Sequence, residues 1–212
     1  MVIDYSLYLV ADADYAAGRD LAALVDAAVA GGVTVVQLRA KRLAGGEFVE
    51  LGRTLAGRLE ARGVPLLVND RLDVAMACGA AGVHLGQEDV PLPLARRILG
   101  PGATIGVSVN TAEEARRAER DGADYVGAGP AFATTTKETP LAVLGPEGIR
   151  LITEATRIPV VAIGGIGAGN AAELGRAGAG GIAVVSAILG APDARLAAEE
   201  LKRTFLKYQK GG

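Results

Sequence analysis

Short β-branched runs recur along the chain at a near-constant interval: LYLVAD, TVVQLR, PLLVND, GVHLG, TIGVSV, YVGAGP, PVVAIGG and GIAVVSA, beginning near residues 7, 34, 65, 82, 104, 125, 159 and 181. These runs are continuously apolar more than alternating, the pattern of strands buried on both faces of a parallel sheet. Helical spacing fills the intervals, as in Phe48, Leu51, Leu55 and Leu59. Thr111 followed by Glu114 is a capping box that opens another helix. Glycine-rich turns such as AGGVTVV, ARGVPLLV, AAGVHLG, DGADYVG and GAGGIAVV then lead into the next strand. Glycine there takes the left-handed conformation that stops a helix. Eight βα units of roughly 25 residues each predict an α/β fold, a (βα)8 TIM barrel forming one domain over residues 1–212. A doubly wound open sheet is also compatible, because periodicity does not show closure.

Composition narrows the partners. Half of the 212 residues are apolar, enough for a sizeable core, and no Pro/Ser-rich linker divides them. With 22 basic and 24 acidic residues the net charge is −2, so no basic face calls for nucleic acid and no polybasic anchor for a membrane. Small-molecule substrates are the expected partners, and apolar helix faces leave room for a homodimer. Cys78 is the sole cysteine, which excludes an internal disulfide framework and fits a reducing compartment. MVIDYSLYLV lacks a basic leader with a cleavage signal, and no apolar run reaches the roughly 20 residues that span a bilayer. A cytoplasmic protein is expected.

In a (βα)8 barrel the C-terminal strand ends and the loops after them form the active site. The second strand ends in Gln37, Arg39 and Lys41, which period-two spacing sends to one face. An amide, a guanidinium and an ammonium grouped there fit an anion, with salt bridges at the barrel mouth as the alternative. The third strand ends in Asn69 and Asp70, and Asp89 lies just beyond the fourth. Neighbouring strands run about 5 Å apart, so the two aspartates converge. They either neutralise Lys41 and Arg39 or hold Mg²⁺, which takes one or two carboxylates and completes its shell with waters and phosphate oxygens. His84, the sole histidine, reads as a hydrogen-bonded core residue, and it leaves little basis for a nucleophilic triad or a zinc site. Ser108 ends the fifth strand. Gly165 and Ser186, after the seventh and eighth, mark a second anion site of the barrel phosphate type. Between them lies ATTTKETP, a loop rich in hydroxyl donors with one ammonium, placed to close over both sites.

These motifs together resemble the thiamine phosphate synthase family. The resemblance runs through VVQLRAK, VNDRLDVA, GVHLGQEDV, IGVSV, DGADYVGAGP, the TTTK loop, PVVAIGGI and GIAVVSAI in order. It implies a transferase that joins 4-amino-2-methyl-5-pyrimidinylmethyl diphosphate to 4-methyl-5-(2-phosphoethyl)thiazole, releasing pyrophosphate through a dissociative pyrimidinylmethyl cation. By the same resemblance Gln37, Arg39, Lys41, Asn69, Ser108 and Lys137 hold the pyrimidine pyrophosphate, with Lys41, Lys137 and Ser108 as the catalytic groups. Asp70 and Asp89 bind Mg²⁺, while Thr134, Thr136, Gly165, Val185 and Ser186 hold the thiazole phosphate. Arg42, Ala133, Thr139 and Asn110 depart from the family's usual residues. Asn110 stands where the related thiazole tautomerases are expected to carry a catalytic histidine. That isomerase, another phosphate-binding barrel enzyme and a non-catalytic barrel that binds thiamine precursors are the rival readings.

Overall fold

The computed structural model describes residues 3–134, 136 and 141–209. Eight parallel strands close on themselves in sequence order: β1 (Leu7–Asp12), β2 (Val35–Arg39), β3 (Leu66–Asn69), β4 (Gly82–Leu85), β5 (Thr104–Val109), β6 (Tyr125–Ala128), β7 (Val160–Ile163) and β8 (Gly181–Val184). The closing pair is β1 with β8, in the register Leu7 to Ile182, Tyr8 to Ala183 and Leu9 to Val184. Closure removes both sheet edges and settles the choice between barrel and open sheet.

The helices lie outside: α1 (Leu21–Ala30), α2 (Gly45–Glu60), α3 (Leu72–Cys78), α4 (Leu92–Leu99), α5 (Ala112–Arg120), α6 (Gly145–Ala155), α7 (Ala171–Arg176), α8 (Ser186–Leu189) and α9 (Ala194–Tyr208). Local chemistry starts them where the sequence indicates. The Thr111 hydroxyl accepts from the Glu114 amide at 3.1 Å, and the Glu114 carboxylate accepts from the Thr111 amide at 3.1 Å. Asp20 and Asp193 cap α1 and α9 with one bond each, their carboxylates accepting from the Ala23 and Leu196 amides at 3.0 Å. On α2 the buried stripe is Phe48, Gly52, Leu55 and Leu59. Glycine at position 52 lets the helix approach α3, where a Cβ would stand 2.9 Å from the Cys78 sulfur. Cys78 is buried against this helix, and burial raises its pKa.

Two apolar clusters result. The larger fills the layer between strands and helices. The smaller lies inside the barrel around Tyr5, Tyr8, Val10, Val35, Leu67, Tyr125, Val161 and Ala183. Among the described residues no helix is long and apolar enough to cross a membrane.

Some positions admit only glycine because the neighbouring strand comes too close. A Cβ at Gly82 would meet the Thr104 carbonyl oxygen at 1.8 Å, whereas one at Gly57, exposed on α2, meets nothing within 4 Å. Gly82→Ala is expected to lower stability by about 3 kcal/mol. Gly57→Ala should raise it by about 0.5–1 kcal/mol through helix propensity. Urea unfolding of the two variants beside the parent protein checks both signs.

Candidate active site

Polar side chains gather where the strands run out. Asp12, the last residue of β1, is 4% exposed and is one of few buried polar groups among the described residues. One of its carboxylate oxygens accepts from the backbone amides of Asp14 and Tyr15, each at 3.0 Å. The other pairs with the Arg39 guanidinium at 2.5 Å. Arg39 is thereby held at the end of β2 with its charge directed by a neighbour on β1. The sequence offers Asp70 and Asp89 either as counter-charges of Lys41 and Arg39 or as Mg²⁺ ligands, and does not single out Asp12. The signal was available, since LYLVAD ends in an acid at the strand end where function is expected.

The loop after β2 is fixed by a second acid. Asp14 accepts from the Lys41 amide at 3.0 Å and pairs with Arg42 at 3.3 Å. The Lys41 side chain reaches across to Asp70 and donates to its carboxylate. Asp70 follows β3 with φ of 63°, a left-handed conformation that aspartate tolerates better than most residues. Its amide donates to the His84 carbonyl at 2.9 Å, which ties the end of β3 to β4. Asp89 accepts from the Gly86 amide at 2.7 Å, and its carboxyl lies close enough to that of Asp70 to act on it. Burial, and then the neighbouring Asp89 carboxyl, push the Asp70 carboxyl above its ordinary range, while Lys41 works in the opposite direction. Asn69 ends β3 beside this group and accepts from the Arg71 amide through its carbonyl at 2.8 Å.

Beneath these charges a line of neutral groups crosses the barrel. Gln37, 5% exposed, donates to the Tyr8 hydroxyl at 2.7 Å, and Tyr8 meets the Tyr125 hydroxyl at 2.8 Å. His84 bridges Tyr125 and Ser108, at 2.9 Å on each ring nitrogen. The two tyrosines were not among the expected site residues. The detectable signal was an aromatic within YVGAGP facing a glycine of TIGVSV, for Tyr125 pairs in register with Gly106.

The opposite side of the mouth comes from β6, β7 and β8. The base of the loop after β6 is tied down twice, by Leu144 and Gly145 amides donating to the carbonyls of Pro130 and Ala131 at 2.9 and 3.0 Å. Gly165, at φ of 64°, lies so close to this loop that a Cβ would stand 2.4 Å from the Ala133 carbonyl oxygen. The Thr134 hydroxyl accepts from the Thr136 amide at 3.3 Å, and the Thr136 hydroxyl donates to Ser186 at 3.3 Å. Val185 precedes the short helix α8, which Ser186 opens. Lys137 and Thr139 lie outside the described residues. Asn110 donates to the carbonyls of Gly129 at 2.9 Å and Ala142 at 3.2 Å, so its amide ties β5 to the base of the loop.

The barrel thus brings together Lys41, Asp70 and Asp89 in one group, Gln37 and Ser108 through the neutral line, and Thr134, Thr136, Gly165 and Ser186 in another. A family model described as thiamine monophosphate synthase matches residues 7–188, nearly all of this frame. The chain belongs to that family. It is 49% identical over 201 residues to the thiamine-phosphate synthase of Chloroflexus aurantiacus, covering 95% of this chain and 93% of that one. It is 48% identical over 203 residues to the thiamine-phosphate synthase of Moorella thermoacetica, covering 96% and 97%. Among solved structures, thiamine phosphate pyrophosphorylase from Pyrococcus furiosus matches with a TM-score of 0.89, at 41% identity and 98% coverage of both chains. A likeness at 19% identity and a TM-score of 0.70 to orotidine 5'-phosphate decarboxylase from Pyrococcus horikoshii is one of fold alone. At this identity and coverage the chain is a transferase of thiamine biosynthesis.

The Asp12 carboxylate satisfies two backbone amides and one guanidinium from a nearly dry position, so its removal strands all three. Asp12→Ala is expected to lower stability by about 3 kcal/mol and to weaken binding of a pyrophosphate ligand as Arg39 loses its fixed position. Urea unfolding and pyrophosphate titration by calorimetry check the two effects.

Proposed function

We propose that the strand-end residues join 4-amino-2-methyl-5-pyrimidinylmethyl diphosphate to 4-methyl-5-(2-phosphoethyl)thiazole, forming thiamine phosphate and pyrophosphate. The observation that carries this reading is the presence at one mouth of two separate groupings fit for phosphate: Lys41 beside Asp70 on one side, and the Thr136 and Ser186 hydroxyls, 3.3 Å apart, on the other. Membership in the thiamine monophosphate synthase family supports it.

Arg39, Lys41 and Asn69 hold the pyrophosphate of the first substrate, and Lys137 joins them from the loop. Gln37 and Ser108 hold the pyrimidine. Thr134, Thr136, Gly165, Val185 and Ser186 hold the thiazole phosphate, with glycine letting backbone amides come close to it. The bond between the pyrimidine methylene carbon and the pyrophosphate oxygen breaks, and its electron pair leaves with the pyrophosphate. The cation that remains is stabilised by the pyrimidine amino group. The thiazole nitrogen then supplies its lone pair to the methylene carbon. No proton has to be removed from that nitrogen, so the reaction needs positioning and charge stabilisation in place of a general base. This accounts for a site with one histidine.

Asp70 and Asp89 suit Mg²⁺. Two neighbouring carboxyl groups, one with its pKa raised by burial and by the other, form a pair that a divalent cation would relieve. Mg²⁺ bound there supplies neutralisation of the charge on the departing pyrophosphate. Lys41 is the counter-ion of Asp70 in the free protein. With a cation at Asp70, Lys41 would be available to the pyrophosphate.

Incubation of the protein with both precursors, followed by oxidation of thiamine phosphate to its fluorescent thiochrome, tests the reading. Product should require both precursors, vanish with chelator and return with Mg²⁺. Asp70→Asn and Asp89→Asn should each lower turnover by about 100-fold, and Lys137→Ala by at least about tenfold, with unfolding midpoints near the parent's, since asparagine also tolerates the left-handed backbone at position 70. Absence of product in a folded protein that binds thiazole phosphate would overturn the reading in favour of an isomerase or a sensor.

A further inference from the structure

The line of hydrogen bonds across the barrel interior has a direction. Gln37 Nε2 lies 2.7 Å from the Tyr8 hydroxyl, Tyr8 is 2.8 Å from Tyr125, and His84 joins Tyr125 through Nδ1 and Ser108 through Nε2, both at 2.9 Å. The two ends, Gln37 and Ser108, belong to the pyrimidine site proposed above. Tyr8, Tyr125 and His84 have no assigned part in it.

Proton counting decides what each end presents. An amide nitrogen only donates, a hydroxyl donates one proton while it accepts, and a neutral imidazole has one donor and one acceptor. Burial, the largest influence on both phenols, raises their pKa, so both remain protonated and able to donate. With Gln37 Nε2 giving to Tyr8, the arrangement that leaves no phenol proton of the line unused has Tyr8 giving to Tyr125 and Tyr125 to His84 Nδ1. The imidazole proton then sits on Nε2 and is given to Ser108. The Ser108 proton is left to point out of the line, and Gln37 keeps Oε1 as an acceptor.

The barrel reserves space for this line. A Cβ at Gly106 would stand 2.0 Å from Tyr125 Cζ, and one at Gly127 would stand 2.9 Å from His84 Cε1. Glycine at these positions on β5 and β6 is what lets both rings lie across the interior.

We propose that Tyr8, Tyr125 and His84 are positioning residues that set the polarity of the pyrimidine site. Through them Gln37 offers an acceptor and Ser108 a donor to an aminopyrimidine, whose amino group donates and whose ring nitrogen accepts. The proposal rests on the synthase reading of the site, but its first test does not. If the Gln37 amide were reversed, every bond would reverse with it, Nδ1 of His84 would carry the proton, and Ser108 would give its proton into the line.

The chain has one histidine, so a long-range ¹H–¹⁵N correlation spectrum of protein labelled at histidine reports this ring alone. In the free protein Nε2 is expected to be protonated and Nδ1 bare. An Nδ1–H tautomer, an interconverting mixture or a doubly protonated ring overturns the proposal, whatever reaction the site performs. Tyr125→Phe should convert the ring to a mixture of tautomers and raise KM for the pyrimidine pyrophosphate roughly tenfold, with KM for the thiazole phosphate unchanged. A Tyr125→Phe protein that keeps the parent tautomer and the parent KM for the pyrimidine also overturns it. Should that variant not fold, Tyr8→Phe carries the kinetic comparison: a raised KM for the pyrimidine alone supports the proposal, and an unchanged one overturns it.

Discussion

Closure of the sheet is the constraint on which the rest of the molecule depends. When β8 pairs with β1, the inward side chains of eight strands must share one narrow interior. Tyrosines at 5, 8 and 125 take much of that space, with ring centroids 4.7 Å apart for Tyr5 and Tyr125 and 5.9 Å for Tyr8 and Tyr125. Glycines at 106 and 127 make room for the rings of Tyr125 and His84. Large and minimal side chains therefore alternate around the interior because volume is conserved there, as in any close-packed core.

The same geometry explains the division of labour within the site. Deep in the barrel, where water is excluded, the polar groups are uncharged and satisfy one another in a line. At the mouth, where water and ligands reach, the charged groups appear in pairs: Arg39 with Asp12, Arg42 with Asp14 and Lys41 with Asp70. Isolated charges in the interior would carry a large desolvation penalty, whereas each of these basic groups is matched by an acid. In the proposed reading the acids that hold these basic residues in the free protein also fix where they are presented.

The third wall, from β6 to β8, is held differently. Asn110, Leu144 and Gly145 secure the base of the β6 loop through its backbone, and Gly165 lets the loop lie directly on the turn after β7. Hydroxyls at Thr136 and Ser186 then meet from opposite sides of that contact. That wall carries neutral hydroxyl donors where the proposed reading seats the thiazole phosphate, opposite the charged wall across the mouth.

Much of the fold was legible in the chain because its signals are local. Eight apolar runs, the helix spacing of Phe48, Leu55 and Leu59, and the Thr111 to Glu114 capping box each report a short-range preference that the tertiary structure leaves intact. The polar residues at strand ends were also legible, since period-two alternation and the barrel rule place them at one mouth. What the sequence by itself determined was therefore the elements, their order and the face on which chemistry collects. Which charges pair was decided by tertiary structure: Asp12 faces Arg39 only because β1 and β2 align in the register Asp12 to Arg39. The neutral line from Gln37 to Ser108 draws on five strands, and a long-range contact of this kind leaves no periodic trace in the chain. Its members meet because closure brings distant strands around one axis, a distance that spacing along a sequence does not encode.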